Sequence, residues 1–409
     1  MKSILIIADG LGGRPTDING KTCLEAADTP TLDELASRGA VGLMDPIKPG
    51  IRPGSDTAHL SIFGYDPYHY YTGRGVFEAA GIGMEVRRGD VCFRTNFATV
   101  DQDGNIVDRR AGRISEGQDQ LSEALQNLCS KKHPDVEVHF ERSTEHRGAL
   151  CLRGEGLGDN VSDTDPHQLE TSVGKCVSED EESDKTAEII NELTDQAREI
   201  LSEHPLNERR KEEGKQPANA LLARGSASYP DLPSLEELYG VKGTVIAAGA
   251  LYIGVARVAG MKVETAEGAT GTVDSKIINK VKLGVQQLQS GEDLIFIHFK
   301  GADNASHDHD AEAKVKFIEK IDHTFSWLRE NLDWEETHLA FAGDHTSPIQ
   351  FGDHSPDPVP AMLVGPNVRK DEIEAFDEFR AAEGGLNRFS GQLLPMVLSL
   401  SNFGEKFGA

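Results

Sequence analysis

Phe341-Ala-Gly-Asp-His-Thr-Ser-Pro-Ile-Gln-Phe-Gly-Asp-His-Ser-Pro-Asp-Pro358 brings Asp344, His345 and His354 close together, just after the apolar run Leu339–Ala342. Two other stretches share this build. Asp303 and His307 follow the apolar run Leu294–Phe299 in Phe299-Lys-Gly-Ala-Asp-Asn-Ala-Ser-His307, and Asp9 follows Ile4–Ala8. Short, β-branched-rich runs of this kind read as strands buried on both faces. Open α/β sheets build their sites at the carboxyl ends of such strands. Carboxylates and imidazoles are the ligands that hard or borderline divalent metals take.

The chain has 409 residues, enough for roughly two or three domains. No apolar run reaches the roughly 18 residues a membrane helix needs, so no membrane partner is expected. The start, Met1-Lys-Ser-Ile-Leu-Ile-Ile-Ala-Asp9, is too short for a signal peptide and runs into an acidic residue, so it reads as the first strand. The five cysteines lie far apart with no CxxC pair, which fits a reducing cytosol and a cytoplasmic location. A formal net charge of -26 disfavours nucleic acid as a partner. It also repels any anionic substrate unless the site carries its own cations. Basic clusters are therefore informative here.

One such cluster exists. Arg87, Arg88, Arg94, Arg109, Arg110 and Arg113 fall in one short section. Around them Val91–Val100 and Ile106–Asp108 read as strands about the turn Asp103-Gly-Asn105, followed by a helix near 118–129 and a strand near 136–141. Residues 154–182 are polar and irregular, 186–202 form an amphipathic helix, and 219–224 read as a strand. Residues 88–241 are expected to be an inserted α+β domain. The flanks, 1–87 and 242–409, alternate strands (244–248, 294–299, 339–342, 361–364) with helices (31–38, 275–289, 311–330, 392–400). That alternation predicts an α/β unit with one mainly parallel sheet flanked by helices.

Within the flanks, Gly54-Ser-Asp-Thr-Ala-His59 looks like a loop opening into a helix. Ser55 reads as a plain helix cap or as part of an anion site at a helix N-terminus; Asp56, Thr57 and His59 make the segment more polar than a cap requires. Singly, each acidic or imidazole residue also has a bland reading, as a capped turn or a polar helix start. Together they form two groups: Asp303, His307 and His354, and Asp9, Ser55, Asp344 and His345. Two metals about 4–5 Å apart can grip both the attacking and the leaving oxygen of an in-line phosphoryl transfer. One of them can activate a serine hydroxyl. Such ligands admit manganese or magnesium first, and cobalt or zinc next.

These segments carry a resemblance. Ala8-Asp9-Gly10, Gly54-Ser-Asp-Thr-Ala-His59, Lys300-Gly-Ala-Asp-Asn-Ala-Ser-His307, Gly343-Asp-His345 and Asp353-His-Ser-Pro-Asp-Pro358 resemble the cofactor-independent phosphoglycerate mutases of the archaeal type, in the alkaline phosphatase superfamily. Asn96–Asp101, Asp108–Arg113 and Asn219–Arg224 match as well, so the resemblance runs nearly end to end. It implies an alkaline-phosphatase-like fold with a cap that excludes water. It implies that 3-phosphoglycerate and 2-phosphoglycerate are interconverted through a phosphoserine on Ser55, with two divalent ions on the groups named above. It makes Arg109, Arg110, Arg113, His146, Arg147 and Arg224 candidates for the carboxylate and phosphate contacts, since arginine grips both groups bidentately. Two departures stand out. Asp344-His-Thr-Ser-Pro348 replaces the frequent Asp-His-Ser-Thr-Pro. Ile253 stands where the family tends to have a lysine, leaving Arg257 or Lys300 to supply that charge. The alternatives are a metal-dependent phosphomonoesterase or phosphodiesterase with water as acceptor, and a metal-stabilised binding protein.

Overall fold

A computed structural model describes residues 1–404, Lys406 and Gly408. In chain order the strands are β1 (Lys2–Ala8), β2 (Ala40–Asp45), β3 (Val91–Val100), β4 (Ile106–Asp108), β5 (Glu137–Arg142), β6 (Arg147–Arg153), β7 (Ala220–Ser228), β8 (Gly243–Ile246), β9 (Lys262–Glu264), β10 (Leu294–Phe299), β11 (Thr337–Gly343), β12 (Val359–Val364) and β13 (Asn387–Ser390). The chain divides into two units, Met1–Tyr71 with Leu232–Ala409, and Thr72–Asp231. No helix among the described residues is long and apolar enough to cross a membrane.

The first unit holds an eight-stranded sheet in the order β13-β2-β12-β11-β1-β10-β8-β9. It is mainly parallel; β12 alone runs against its neighbours, β11 and β2. β1 sits mid-sheet, and Ile4–Ala8 are fully buried because helices cover the sheet on both sides. On one face Ile4 and Ile6 pack with Val281 of the helix Ile277–Gln289 and with Phe317, Ile321 and Phe325 of the helix Ala311–Asn331. Burying each such side chain contributes about 1.5–3 kcal/mol. The helix Pro30–Arg38 ends at Gly39, as its composition suggests, but for a different reason than a left-handed cap. Gly39 has φ -128°, and a Cβ there would lie 2.1 Å from the carbonyl oxygen of Leu363.

Lys280 is a penalty accepted by this core. It is 1% exposed, and its ammonium donates one bond of 2.7 Å to the carbonyl of His298. Burial pushes its pKa down to about 8 from 10.5. A cation with a depressed pKa contributes stability above its ordinary pKa and loses it as pH falls through the folded value. Lys280→Met is therefore expected to raise the melting temperature at pH 7. Its advantage should shrink as pH climbs from about 8 to 10.5, and paired thermal melts across that range check it.

The second unit is an antiparallel sheet ordered β4-β3-β6-β5, with β7 also paired to β3. The helix Asp184–Ser202 lays Ile189, Ile190, Leu193, Ala197 and Leu201 into its core. This unit runs over 72–231 rather than the expected 88–241. The helix Gly75–Gly81 packs on β3, β6 and β7, so closely that a Cβ on Gly75 would lie 2.1 Å from the Cys92 carbonyl. At the other end, Tyr65 donates to the Pro233 carbonyl and the Leu235 amide to the Ala259 carbonyl, which tie 232–241 to the first unit.

Candidate functional site

β10, β1 and β11 lie side by side and finish level: Ala8 pairs with Phe299 on one flank and with Gly343 on the other. The next residues are Lys300, Asp9 and Asp344, so the register alone sets these three groups abreast. Asp303 comes from the helix Gly301–His307 that follows β10. Gly10, with φ +67°, lets that helix approach; a Cβ on Gly10 would lie 2.8 Å from the Asp303 Cα. The Gly10 amide donates to Asp344 Oδ1 at 3.0 Å.

His345 is the hub. Its Nε2 lies 3.2 Å from Asp9 Oδ1, 3.3 Å from Asp344 Oδ2 and 3.3 Å from the Ser55 hydroxyl. Its Nδ1 pairs with the Ser347 hydroxyl at 3.0 Å, and that hydroxyl donates to Asp303 Oδ1 at 3.3 Å. This relay assigns the ring proton to Nδ1 and turns the Nε2 lone pair toward the carboxylates, the usual support for a metal-binding imidazole. His354 stacks on His345 with ring centres 3.5 Å apart and places Nε2 3.6 Å from Asp303 Oδ1. Ser55 is the first residue of the helix Ser55–Ile62, and Gly54 is the cap.

The charge in this nest does not balance. Asp9, Asp303 and Asp344 are at most 2% exposed, and one ammonium, Lys300, serves them, at 3.1 Å from Asp9 and 2.7 Å from Asp303. Asp9 Oδ1 and Asp344 Oδ2 have no hydrogen-bond partner among the described residues. Burial raises the Asp344 carboxyl well above its ordinary range, and Asp9 adds to this. Burial also pushes Asp9 up, but its charged and hydrogen-bonding neighbours, the Lys300 ammonium foremost, more than offset it. Uncompensated buried carboxylates of this kind call for cations, and the donor set suits divalent metals. Among the described residues, three groups have ligand atoms within 4.8 Å of one another: Asp9, Asp344 and His345; Asp303, His345 and His354; and His59, His298 and Asp344.

The structure thus brings together Asp9, Ser55, Asp303, Asp344, His345, His354 and Lys300. His307 sits at the rim, its Nε2 3.4 Å from Asp303 and its Nδ1 2.7 Å from the Gly352 carbonyl. Sequence reasoning missed the layer behind. His298 lies on β10, 3.3 Å from Asp9 Oδ2 and stacked on Tyr252 at 3.6 Å. Tyr252, beside Ile253, donates to Asp9 and accepts from Lys300. Arg257 lies in the last turn of the same helix, Ala250–Val258. His59 meets the Ser55 carbonyl at 2.7 Å. Burial lowers His59 to about 4 and His298 to about 3, so both are neutral at pH 7. A lone imidazole inside the apolar run Leu294–Phe299 was the available signal.

In the second unit, Arg109, Arg110, Arg113, His146, Arg147 and Arg224 line one cavity of about 360 Å³, joined by Arg94 of the same basic cluster and by His167, which the sequence did not single out. Arg110, Arg113 and Arg147 have no carboxylate partner among the described residues. Burial and the surrounding arginines push His146 down to about 4. Ala111, Arg113, Glu145 and His167 all have positive φ, between 45° and 58°. Strained backbone of this kind gathers at ligand clamps.

A family model described as 2,3-bisphosphoglycerate-independent phosphoglycerate mutase matches residues 36–207. A protein of that name from Archaeoglobus fulgidus is 48% identical, with all of both chains covered. Among solved structures, a protein from Pyrococcus horikoshii superposes with TM-score 0.87 at 39% identity over 100% of this chain and 99% of that one. The cofactor-independent phosphoglycerate mutase from Thermoplasma acidophilum does so with TM-score 0.72 at 34% identity over 98% of this chain and 100% of that one. Full-length identity at this level places the chain in the 2,3-bisphosphoglycerate-independent phosphoglycerate mutase family.

Proposed function

We propose that this chain interconverts 3-phosphoglycerate and 2-phosphoglycerate through a phosphoserine on Ser55, without 2,3-bisphosphoglycerate. The observation that carries the reading is the Ser55 hydroxyl 3.3 Å from His345 Nε2, at the edge of an over-anionic nest of buried carboxylates. Asp9, Ser55, Asp344 and His345 would hold one divalent ion, manganese or magnesium, and Asp303, His307 and His354 the other. When bound, such ions neutralise the carboxylates and favour the ionised serine hydroxyl.

Ser55 Oγ attacks the phosphorus and the glycerate oxygen leaves with its electron pair. The free amides of the first turn of Ser55–Ile62 favour the phosphate there. Lys300 sets the orientation of Asp9 and Asp303. The glycerate then presents its other hydroxyl to the phosphoserine and takes the phosphoryl group back. Arg109, Arg110, Arg113, His146, Arg147 and Arg224 hold carboxylate and phosphate, with Arg257 as a further candidate contact. The inserted unit serves as a cap, because water reaching the phosphoserine would turn the mutase into a phosphatase.

One assay tests this. The protein is mixed with 3-phosphoglycerate and manganese or magnesium, without bisphosphoglycerate, and 2-phosphoglycerate and free phosphate are measured. The mutase gives the isomer and is blocked by chelator; mainly free phosphate would establish a phosphomonoesterase instead. Arg147→Ala should raise KM by about tenfold or more while changing kcat less, because a charge-assisted bond to a charged ligand is lost. Steady-state kinetics check this.

A further inference from the structure

Residues 154–182 lack strands and helices for most of their length, yet their carboxylates are placed with care. Asp163 Oδ1 accepts from the Gly225 amide of β7 at 2.7 Å. Asp165 is 2% exposed and pairs with two of the arginines that line the cavity, Arg109 and Arg224. It accepts both ends of the Arg109 fork, Nε at 2.8 Å and a terminal nitrogen at 2.6 Å. It also meets Arg224 at 3.4 Å, and the His167 amide donates to it at 3.0 Å. Arg109 follows β4 and Arg224 lies on β7, so one buried carboxylate ties together two arginines from separate segments.

A carboxylate in a site for anions is costly on charge alone, since it cancels one of the cations that would attract the ligand. We propose that Asp165 is a positioning residue, which holds Arg109 and Arg224 in one fixed spacing so that the cavity favours a ligand with two anionic groups over a lone phosphate. Preorganisation of this kind improves affinity by removing the ordering of long side chains from the binding step. The inference rests on the proposed function, in which these arginines bind phosphoglycerate.

Charge and geometry predict opposite signs. Asp165→Asn makes the cavity more positive. If the carboxylate only subtracts charge, 3-phosphoglycerate binds tighter; if it positions, binding weakens by about tenfold while binding of inorganic phosphate holds or tightens. Asp165→Glu keeps the charge and displaces it by one methylene, so positioning predicts weaker binding there too and charge predicts none. Calorimetry on the full chain carrying Ser55→Ala, with 3-phosphoglycerate and with inorganic phosphate as separate titrants, reads both. In the background with Ser55 intact, KM should rise about tenfold at nearly constant kcat. Wild-type-like or tighter 3-phosphoglycerate binding by either variant overturns the inference alone. So does a loss of kcat at unchanged KM with a lowered melting temperature. Absence of any 3-phosphoglycerate binding before Asp165 is touched overturns the proposed function and this inference with it.

Discussion

Ser55→Ala is expected to lower the rate of 2-phosphoglycerate formation by roughly 10⁵-fold or more, the scale on which removal of a covalent nucleophile acts. Its fold should remain intact. Ser55 is not the cap of its helix: Gly54 is, and its amide bonds the Thr57 hydroxyl at 3.1 Å. The bond from His59 goes to the Ser55 carbonyl, which alanine retains. One hydroxyl at 9% exposure leaves no cavity of consequence. The melting temperature of the metal-free variant should therefore stay within a few degrees of wild type. Acid-quenched wild-type protein incubated with phosphate-labelled 3-phosphoglycerate should carry label on Ser55, and the variant none. A variant that keeps more than about 1% of the rate would show that another group receives the phosphoryl.

Much of this arrangement was legible in the sequence because it is built from strand ends. Asp9, Lys300 and Asp344 each follow a run buried on both faces, so once three runs are read as neighbouring parallel strands their next residues must stand abreast. The groups that escaped notice reach the site across the sheet or between faces. His298 sits within β10 instead of after it, and Tyr252 arrives from a helix whose sequence neighbour, Ile253, drew attention by what it lacks. Ser347, which links His345 to Asp303, looks like any loop serine. Long-range packing also moved the domain boundary. Gly75–Gly81 is a short helix with no local mark of which sheet it covers, and its packing on β3, β6 and β7, with the close approach at Cys92, assigns it to the second unit. β6 was unread for a related reason, since its apolar centre Ala149–Leu152 is short and flanked by arginines. The arginines were visible as a cluster against the overall sign of charge, but the carboxylate that organises two of them lay in a stretch that reads as irregular.

Asp344→Asn should move activity and metal-free stability in opposite directions. Activity is expected to fall on the order of a thousandfold, since a preorganised charge is lost beside the reacting oxygen. The metal-free variant should nonetheless be more stable than wild type at pH 7–8. Burial raises the Asp344 carboxyl well above its ordinary value of 3.8, with Asp9 beside it adding to the effect. For a carboxyl raised in the fold, the stabilising contribution is complete below the ordinary value and lost as pH rises through the folded one. The wild type without metal thus carries, at neutral pH, the cost of holding this carboxyl fully buried beside Asp9. Asparagine does not titrate and so escapes that cost, keeps an oxygen for the Gly10 amide, now 3.0 Å away, and should gain roughly 1 to 4 kcal/mol, the range seen when buried ionisable groups are replaced. That gain should close as pH falls toward the ordinary carboxyl value. Divalent cations should then reverse the order. They raise the wild-type melting temperature by binding the folded state, and they raise that of the variant less. Thermal melts of both proteins in chelator and in manganese, at pH 5 and pH 8, read every part of this. A metal-free variant that is less stable than wild type at pH 8, or one that responds equally to manganese, would mean that the buried carboxylates are already balanced and that the nest was not built to wait for cations.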